Sequence, residues 1–558
     1  MQVSFVRYSA CAVAMFLAAC ASVEPARFGP EIEAAAAATE AAENGVERLK
    51  ADVAWLADDA RQGRETGTAA YREAANYVAA RMASMGLKPG ANGSWFQETS
   101  YLSGKQINEA SKFSITKPDG ETVELANIED FRVFPSMAAP SFAIENAEAV
   151  FVGYGVHAPA FGYDDYEGVD VEGKVVVYFT GAPDIFDTES RAHFNSSSLK
   201  LKEASERGAI GAISLYTSTG EKRYPWERFV ANPTFSAMTW LWPDGRPDTA
   251  GPNIMGSVRP HPDKAALLFE GAPQSYARVR AAADGEAEAT GSFDLAVKVS
   301  MAGAMEMTRM TSPNVVGLVP GADPKLKNEY VVLTAHLDHI GVNERLIAKG
   351  EDGINNGAMD NAVGVATMLN VARDFLAGEP PARSVLVVAV AGEEKGLLGS
   401  DYFAHFPTIG RGEMVANVNL DMPVILHDFT DVIAFGAERS SIGPVVKAAL
   451  DAQGYKLSPD PIPELGVFTR SDHYRFVEQG VPSIFLWTGF ENGGEETFWD
   501  FYSHHYHRPS DDISQPIRYD ALARFAEVNF IVADALANTP ERPRWNEGDF
   551  FGSLFGGK

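Results

Sequence analysis

The sequence predicts an α/β protein in which a mixed, mostly parallel sheet lies between layers of helices, with a β-rich module inserted into the chain. From Asn314 to about Ala537, apolar runs of strand length alternate with helix-like patterns. These runs consist almost entirely of Val, Leu, Ile and Ala, which is typical of strands buried on both faces. From about 145 to 295 the pattern changes, because short β runs there alternate with turn residues.

The elements of the α/β region follow from the spacing of its apolar residues. Strands are predicted where apolar residues follow one another almost without a break, at Asn314–Val319, Tyr330–Ala335, Ser384–Ala391, Val415–Leu420, Asp431–Phe435 and Pro482–Trp487. Helices are predicted between them, at about 360–377, 440–453, 473–479 and 519–538. In such sheets, functional side chains collect at the carboxyl ends of the strands.

The ends of the chain have a different composition. Residues 20–45 are rich in Ala and Glu and predict a tether that is helical in part. Two amphipathic helical runs follow between Val46 and Gly86, and the glycine ends the second of them. Residues 541–558 are predicted to form a C-terminal tail.

Charge and cysteine content narrow the classes of function. The 558 residues include 47 basic and 75 acidic side chains, for a formal net charge of −28. A field of this sign repels phosphate backbones, so nucleic-acid binding is disfavoured. The two cysteines, Cys11 and Cys20, both lie within the first twenty residues, so the mature chain is expected to form no internal disulfide.

The N-terminus predicts export. Arg7 precedes the apolar run Cys11–Ala19, which is shorter than the roughly twenty residues of a membrane-spanning helix. The sequence Leu17-Ala18-Ala19-Cys20 resembles a bacterial lipobox, so cleavage after residue 19 would leave a lipid-bearing Cys20. Because Ala21 is not an acidic retention signal, we expect an outer-membrane lipoprotein facing the periplasm or the cell surface. The alternative is an ordinary secretory signal in which Cys20 is incidental.

Imidazole and carboxylate side chains stand where predicted strands end and helices begin: His336, Asp338, Asp360, Glu393, Glu394, Asp421 and His507. Each has an ordinary structural explanation, since a histidine after a strand is usually structural and an aspartate that opens a helix is usually a cap. Their shared placement favours a site, because the carboxyl ends of parallel strands meet at one edge of a sheet. Imidazole and carboxylate without thiolate suit hydrolytic zinc.

The ordered set His336-x-Asp338, Asp360-Asn361, Glu393-Glu394, Asp421 and Tyr506-His507-x-Pro-x-Asp511 closely resembles the co-catalytic zinc exopeptidases. This family includes bacterial leucyl aminopeptidases and, more distantly, glutamate carboxypeptidases. The stretch 145–295 resembles the protease-associated domain that is often inserted in the family. After the predicted signal peptide at 1–19 and the tether at 20–45, the resemblance implies a peptidase domain in two parts, 46–144 and 296–540, on either side of that insert.

The resemblance also implies the metal ligands. Two zinc ions per subunit would share Asp360, which bridges them. His336 and Asp421 would complete the coordination of one ion, and Glu394 and His507 that of the other. The peptide bond that follows Asp360 is expected to be cis.

The remaining motif residues would support or perform the chemistry. Asp338 is expected to orient His336 through its carboxylate, and Asp511 to do the same for His507. Glu393 would be the general base, because a carboxylate that binds no metal keeps its lone pairs for the proton of a water molecule.

Some neighbouring residues leave alternatives open. His504 and His505 lie close to His507, although the Tyr-His-x-Pro-x-Asp pattern selects His507. Ser471-Asp472-His473 matches a recurrent stretch of the family and could line the site. Several aromatic residues could form a side-chain pocket or equally belong to the core: Trp487, Phe490, Phe498, Trp499 and Phe501.

The sequence therefore predicts a zinc-dependent aminopeptidase that removes N-terminal residues from peptides. The alternative is a carboxypeptidase or another amidase on the same scaffold, and the nearby Arg470, Arg475 and Arg508 are too few to decide between them. A non-catalytic binding lipoprotein is disfavoured, because no ligand or base is missing. A single-zinc cyclase of N-terminal glutamine is disfavoured by the intact carboxylate set. The side-chain preference, the oligomeric state and the role of the insert are not determined by the sequence.

Overall fold

The computed structural model of the chain describes residues 28–230, 236–409 and 413–557. The predicted signal peptide and Cys20 lie outside the described residues. Within those three ranges, no helix is both long enough and apolar enough to cross a bilayer.

The strands belong to two large sheets and one short hairpin. In chain order they are β1 Lys88–Pro89, β2 Phe96–Gln106, β3 Lys112–Thr116, β4 Thr122–Glu124, β5 Phe131–Pro135, β6 Ser141–Phe151, β7 His157–Ala158, β8 Tyr163–Asp164, β9 Val175–Phe179, β10 Gly211–Leu215, β11 Ser236–Trp240, β12 Gly256–Pro260, β13 Phe293–Val319, β14 Tyr330–His336, β15 Ser384–Val390, β16 Met414–Asn419, β17 Asp431–Phe435, β18 Lys456–Ser458 and β19 Ser483–Thr488.

Most helices either cover the main sheet or connect its strands. In chain order they are α1 Pro30–Glu40, α2 Gly45–Leu56, α3 Ala69–Met85, α4 Thr188–Phe194, α5 Ser197–Glu206, α6 Ser218–Arg223, α7 Trp226–Val230, α8 Tyr276–Ala283, α9 Glu344–Ala348, α10 Val363–Ala377, α11 Leu398–His405, α12 Ile442–Gln453, α13 His473–Glu478, α14 Gly494–His504, α15 Tyr519–Asn538 and α16 Phe550–Phe555.

The main sheet has a parallel centre with antiparallel neighbours. Its centre, β19–β16–β14–β15, is parallel throughout, while β17 pairs antiparallel with β19, and β13 with β15. Along β14, Val331 and Leu333 pack in the core on the side of α10 and α15, whereas Val332 packs in a second core beneath α11 and α13. Both faces are therefore buried, as the unbroken apolar runs predict. The mixed α/β fold with a large, mostly parallel sheet confirms the predicted fold class.

Strand β13 joins the two sheets. Its first part pairs with β3 and β6, its middle with β2, and its last part with β15. The second sheet has the order β4–β3–β13–β6–β9–β10–β12–β5 and its own apolar core. It therefore begins at Lys112, upstream of the predicted boundary at 145. The cause is that β5 pairs with β12 of the insert and β3 with the first part of β13, and local composition does not reveal such long-range pairing.

Neither the described part of the predicted tether nor the predicted tail is loose. Helix α1 packs on α3, and Glu40 at its end pairs with Arg81 at 2.9 Å and with Arg373 at 2.9 Å. At the other end of the chain, Phe551 is fully buried and the Trp545 indole donates to the carbonyl of Gly480. Partly buried ion pairs fix the first segment, and buried aromatic packing fixes the second.

Candidate metal centre

The predicted ligands meet because neighbouring parallel strands end side by side. His336 is the last residue of β14 and lies opposite Val390, the last residue of β15. Glu393 and Glu394 follow β15 after Ala391 and Gly392, and Asp421 lies just beyond the end of β16, the other neighbour of β14. The sheet therefore brings these side chains to one edge.

One group of donor atoms is centred on His336. Its Nε2 lies 3.1 Å from Oδ1 of Asp360 and 3.1 Å from Oδ1 of Asp421. All three residues are buried and have donor atoms close enough to hold one metal ion. Ser471 donates a hydrogen bond of 2.6 Å to Oδ2 of Asp421, which leaves Oδ1 facing the group.

A second group uses the other oxygen of the same aspartate. Nε2 of His507 lies 3.3 Å from Oδ2 of Asp360 and 3.1 Å from Oε2 of Glu394. Asp360 thus points Oδ1 at one group and Oδ2 at the other. His507 has a φ of +58°, in the left-handed region that favours glycine, and non-glycine residues held there cluster at functional sites.

The donor set and its spacing fit zinc. Ligands at about 2.0–2.1 Å from a tetrahedral ion lie roughly 3.3 Å apart. In the two groups, each imidazole nitrogen lies 3.1–3.3 Å from its two carboxylate oxygens. Imidazole nitrogen and carboxylate oxygen are ligands that zinc accepts. The five predicted ligands therefore fit two ions that share one aspartate.

The backbone around Asp360 is held by Asp511. The Asp360–Asn361 peptide is cis, as expected. Oδ1 of Asp511 accepts from the amide of Met359 at 2.8 Å, and Oδ2 from the amide of Asp360 at 3.0 Å. Burial raises the pKa of Asp511 to about 6. The predicted contact with His507 was wrong, because both oxygens of Asp511 bind backbone N–H groups of the turn that contains Asp360.

Asp338 also acts differently from the prediction. His336 Nδ1 lies 3.0 Å from the backbone carbonyl oxygen of Asp338, so this carbonyl orients the ring instead of the carboxylate. Oδ1 of Asp338 accepts from the amide of Glu393 at 3.2 Å. The carboxylate therefore fixes the start of the Glu393-Glu394 loop, and the backbone of the same residue fixes the imidazole.

Glu393 faces the donor groups without belonging to either. It lines a pocket together with His336, Asp360 and Asp421. Burial raises the pKa of Glu393 well above its usual value, and the carboxylates of Glu394 and Asp421 act in the same direction while His336 opposes them. A carboxylate with these properties binds a proton more readily than an exposed glutamate does.

His339 is a site residue that the sequence reasoning did not assign. It is fully buried, and its Nδ1 lies 2.6 Å from Oε1 of Glu394, whose Oε2 faces His507. It also forms a possible metal-binding group with Asp360 and Glu394. The sequence shows His339 three residues after His336, but it does not show that Glu394 is the partner of His339.

We expect His339→Ala to weaken binding of one metal ion by about 10–100-fold, because Oε1 of Glu394 would lose the partner that orients the carboxylate. The ion held by His336 should remain. Competitive titration of zinc against a chromophoric chelator measures both affinities. His339→Asn, which places an N–H near the position of Nδ1, is the matched control and should recover part of the loss. Equal zinc affinity in wild type and His339→Ala would contradict this role.

Arg64 is a second unassigned residue. Its guanidinium is buried and donates to the carbonyls of Leu337 at 2.9 Å, Asn356 at 2.6 Å and Gly357 at 3.0 Å. Burial lowers its pKa to about 10, so it stays charged at neutral pH. It fastens the loop after His336 to the turn that precedes the bridging aspartate. No motif marked it, because its partners are backbone carbonyls far along the chain.

The pocket beside the metal centre is apolar on one side. It encloses about 70 Å³, and its walls include Leu465, Val467, Trp487, Phe498 and Tyr502. Of the aromatic residues with two possible roles, Trp487 and Phe498 line this pocket, whereas Phe501 is fully buried in the core.

The remaining candidates lie outside the donor groups. His504 is exposed and bonds to Asp500, while His505 Nδ1 lies 2.9 Å from the hydroxyl of Ser510. His473 is buried between Phe468 and Phe485. Among the described residues, the groups with metal-binding spacing contain none of these three histidines.

Comparison with known proteins identifies the region that carries the site. Residues 314–533 match the sequence model of peptidase family M28. These residues are therefore similar to peptidase family M28, and we call them the M28 region. All five predicted ligands and Glu393 lie within this M28 region.

Proteins similar to this chain include a curated protein and solved structures. A probable leucine aminopeptidase from Arthroderma otae is 30% identical over 177 residues, which are 31% of this chain and 46% of the relative. The alignment thus spans about half the length of that relative. The structure of an aminopeptidase from Aneurinibacillus sp. strain AM-1 has a TM-score of 0.51 at 18% identity, covering 91% of this chain and 97% of that one. The structure of a zinc aminopeptidase from Bacillus subtilis has a TM-score of 0.42 at 17% identity, and the alignment covers 88% of this chain and 95% of that one.

Proposed function

We propose that this protein is a zinc-dependent aminopeptidase that uses two metal ions to hydrolyse the N-terminal peptide bond of peptides, with Glu393 as the general base. One observation carries the proposal. Asp360 divides its two oxygens between two donor groups, while Glu393 lines the pocket beside the group centred on His336 and belongs to neither group. This is the arrangement that a bridging ligand and a free base require.

Each side chain has a distinct part in the proposed reaction. Two divalent ions held at Asp360 would supply polarisation of the scissile carbonyl and a lowered pKa for water. Glu393, whose pKa is raised by burial, accepts the proton of the attacking water and returns it to the leaving amine. Tyr506 lines the same pocket and stacks on His507 with ring centroids 3.8 Å apart. Burial raises the pKa of Tyr506, so its hydroxyl stays protonated and can donate to the carbonyl oxygen.

The apolar pocket supports an uncharged N-terminal side chain. Its walls are aliphatic and aromatic, and the relative from Arthroderma otae is described as a probable leucine aminopeptidase. We therefore propose peptides with an apolar first residue as substrates.

One observation favours a carboxypeptidase as the second candidate. Of the three arginines near the site, Arg475 pairs with Glu478 and Arg508 donates to the carbonyl of His504. Arg470 lines the pocket and is exposed, without an ion pair inside the described ranges. A single arginine fork can bind a substrate carboxylate.

A panel of chromogenic substrates distinguishes the two candidates. We expect leucyl and alanyl p-nitroanilides with a free amine to be cleaved, cleavage to stop with chelator, and zinc to restore it. N-blocked dipeptides with a free C-terminal carboxylate serve as the comparison. Hydrolysis of the blocked dipeptides alone, by protein that contains two zinc ions, would replace the aminopeptidase by a carboxypeptidase.

We also propose that the protein is exported and anchored by a lipid on Cys20, as the lipobox-like sequence predicts. Cys20→Ser should move the protein from the membrane fraction to the soluble fraction, because the thiol that carries the lipid is lost. Immunoblotting of both fractions measures this, and Cys11→Ser is the matched control. Retention of Cys20→Ser in the membrane fraction would contradict the anchor.

A further inference from the structure

One part of the pocket wall is a short loop, 463–470. It contributes Leu465, Val467 and Arg470 to the lining. Two 3-10 turns, Pro463–Leu465 and Val467–Thr469, meet in it at Gly466. Because no sheet ladder runs through this loop, its position depends on what packs behind it.

Helix α4 of the inserted module packs directly behind the loop. Gly466 has a φ of +58°, and a Cβ placed on it would lie 2.6 Å from Cβ of Ala192 in α4. Carbon atoms in contact lie about 3.5–4.0 Å apart. The loop backbone therefore touches the helix, with no space left for a side chain at 466.

Further contacts hold α4 against the M28 region. Nδ1 of His193 lies 2.5 Å from the hydroxyl of Tyr474, a residue of α13. Glu189 in the first turn of α4 pairs with Arg439, which also pairs with Asp549 at 3.1 Å. Since α4 is held near both of its ends, added bulk on its loop-facing side should displace the loop more than the helix.

We propose that the inserted module determines the size of the N-terminal side chain that the pocket accepts, because α4 sets how far loop 463–470 projects into it. The preferred substrates are then peptides with a bulky apolar first residue. This inference rests on the proposed function, in which the pocket holds that side chain. Ala192 and His193 are positioning residues, because they act through the loop and α13 and do not line the pocket.

The first test enlarges Ala192. Ala192→Leu should push the loop into the pocket and lower the ratio of kcat/KM for leucyl over alanyl p-nitroanilide by about tenfold, mainly through loss of activity on the leucyl substrate. Arg191→Leu is the matched control on the same helix, where the arginine pairs with Asp184 at the surface. That variant should leave the ratio unchanged.

The second test exchanges the two contacting groups. Gly466→Ala alone should disturb the ratio, because the new methyl meets Cβ of Ala192 at 2.6 Å. The double variant Gly466→Ala/Ala192→Gly should recover much of the ratio, since the next atoms lie 3.9 and 4.0 Å away. Such non-additivity is expected of residues in contact. A purely structural role would change the melting temperature while the ratio stayed constant, and this would overturn the inference.

A binding measurement separates this inference from the proposed function. Calorimetric titration with leucine hydroxamate and alanine hydroxamate measures the preference for the larger side chain as a Kd ratio, without turnover. Zinc-loaded wild type and Ala192→Leu are compared. If no p-nitroanilide is cleaved but the Kd ratio still shifts about tenfold, the proposed function fails and the role of the module stands. An unchanged Kd ratio, in variants with wild-type circular dichroism and zinc content, overturns the inference. If Ala192→Leu fails to fold, the comparison of Gly466→Ala with Gly466→Ala/Ala192→Gly tests the inference instead.

Discussion

Glu393→Gln is expected to keep both zinc ions and to lose kcat by about 10³-fold or more, the contribution of a general base. The side chain faces the donor groups but belongs to neither, so its replacement by an amide removes proton transfer without removing a ligand. Steady-state kinetics on leucyl p-nitroanilide and zinc analysis of the same preparation measure the two effects separately.

The neighbouring residue provides the matched control. Glu394→Gln changes the same functional group one position later, but Glu394 Oε2 lies 3.1 Å from Nε2 of His507 in a donor group. This variant should therefore lose zinc together with activity. Substantial turnover by Glu393→Gln would remove the assigned base, and loss of zinc from Glu393→Gln would make Glu393 a ligand.

His507→Ala is expected to lose one zinc ion, whereas His504→Ala should retain both. Nε2 of His507 lies within 3.3 Å of the carboxylates of Asp360 and Glu394, while His504 is exposed and bonds to Asp500. A zinc site has few protein ligands, so removal of one of them weakens zinc binding by at least about 10–100-fold. Zinc content after dialysis against a weak chelator measures the difference.

The opposite pattern, with zinc lost from His504→Ala and kept by His507→Ala, would show that the register of the last motif is wrong. Loss of zinc from both variants would indicate that the helix before the motif had unfolded. Circular dichroism of the two apoproteins distinguishes that case, because α14 ends at His504.

Much of the α/β region was predictable because its signal is local. The strand over Asp431–Phe435 has the predicted bounds, and the helix predicted over 519–538 is found as α15. Each of these elements is either long or strongly apolar, and its periodicity can be recognised from neighbouring residues alone. The α14 helix was not predicted, because its aromatic residues point both to the pocket and to the core.

The candidate site divides in the same way. The predicted ligand types and their order along the chain were readable, because His336, Glu394 and Asp421 stand at or just after strand ends, Asp360 just before a helix, and His507 in a recognisable motif. The roles of Asp338 and Asp511 were not, because each binds backbone N–H groups that no residue pattern encodes. His339 and Arg64 were missed for the same reason, since their partners lie in other segments of the chain.

The sequence by itself determined the fold class, and its motifs predicted an ordered set of ligands and the separation of Glu393 from them. Only the tertiary structure decided which oxygen faces which group, that α1 and α16 are docked, and that α4 of the insert contacts the pocket loop. The physical reason is the distance along the chain over which each feature is determined. Apolar periodicity and motif order depend on neighbouring residues, whereas oxygen orientation and packing depend on side chains and carbonyls that only the folded chain brings together.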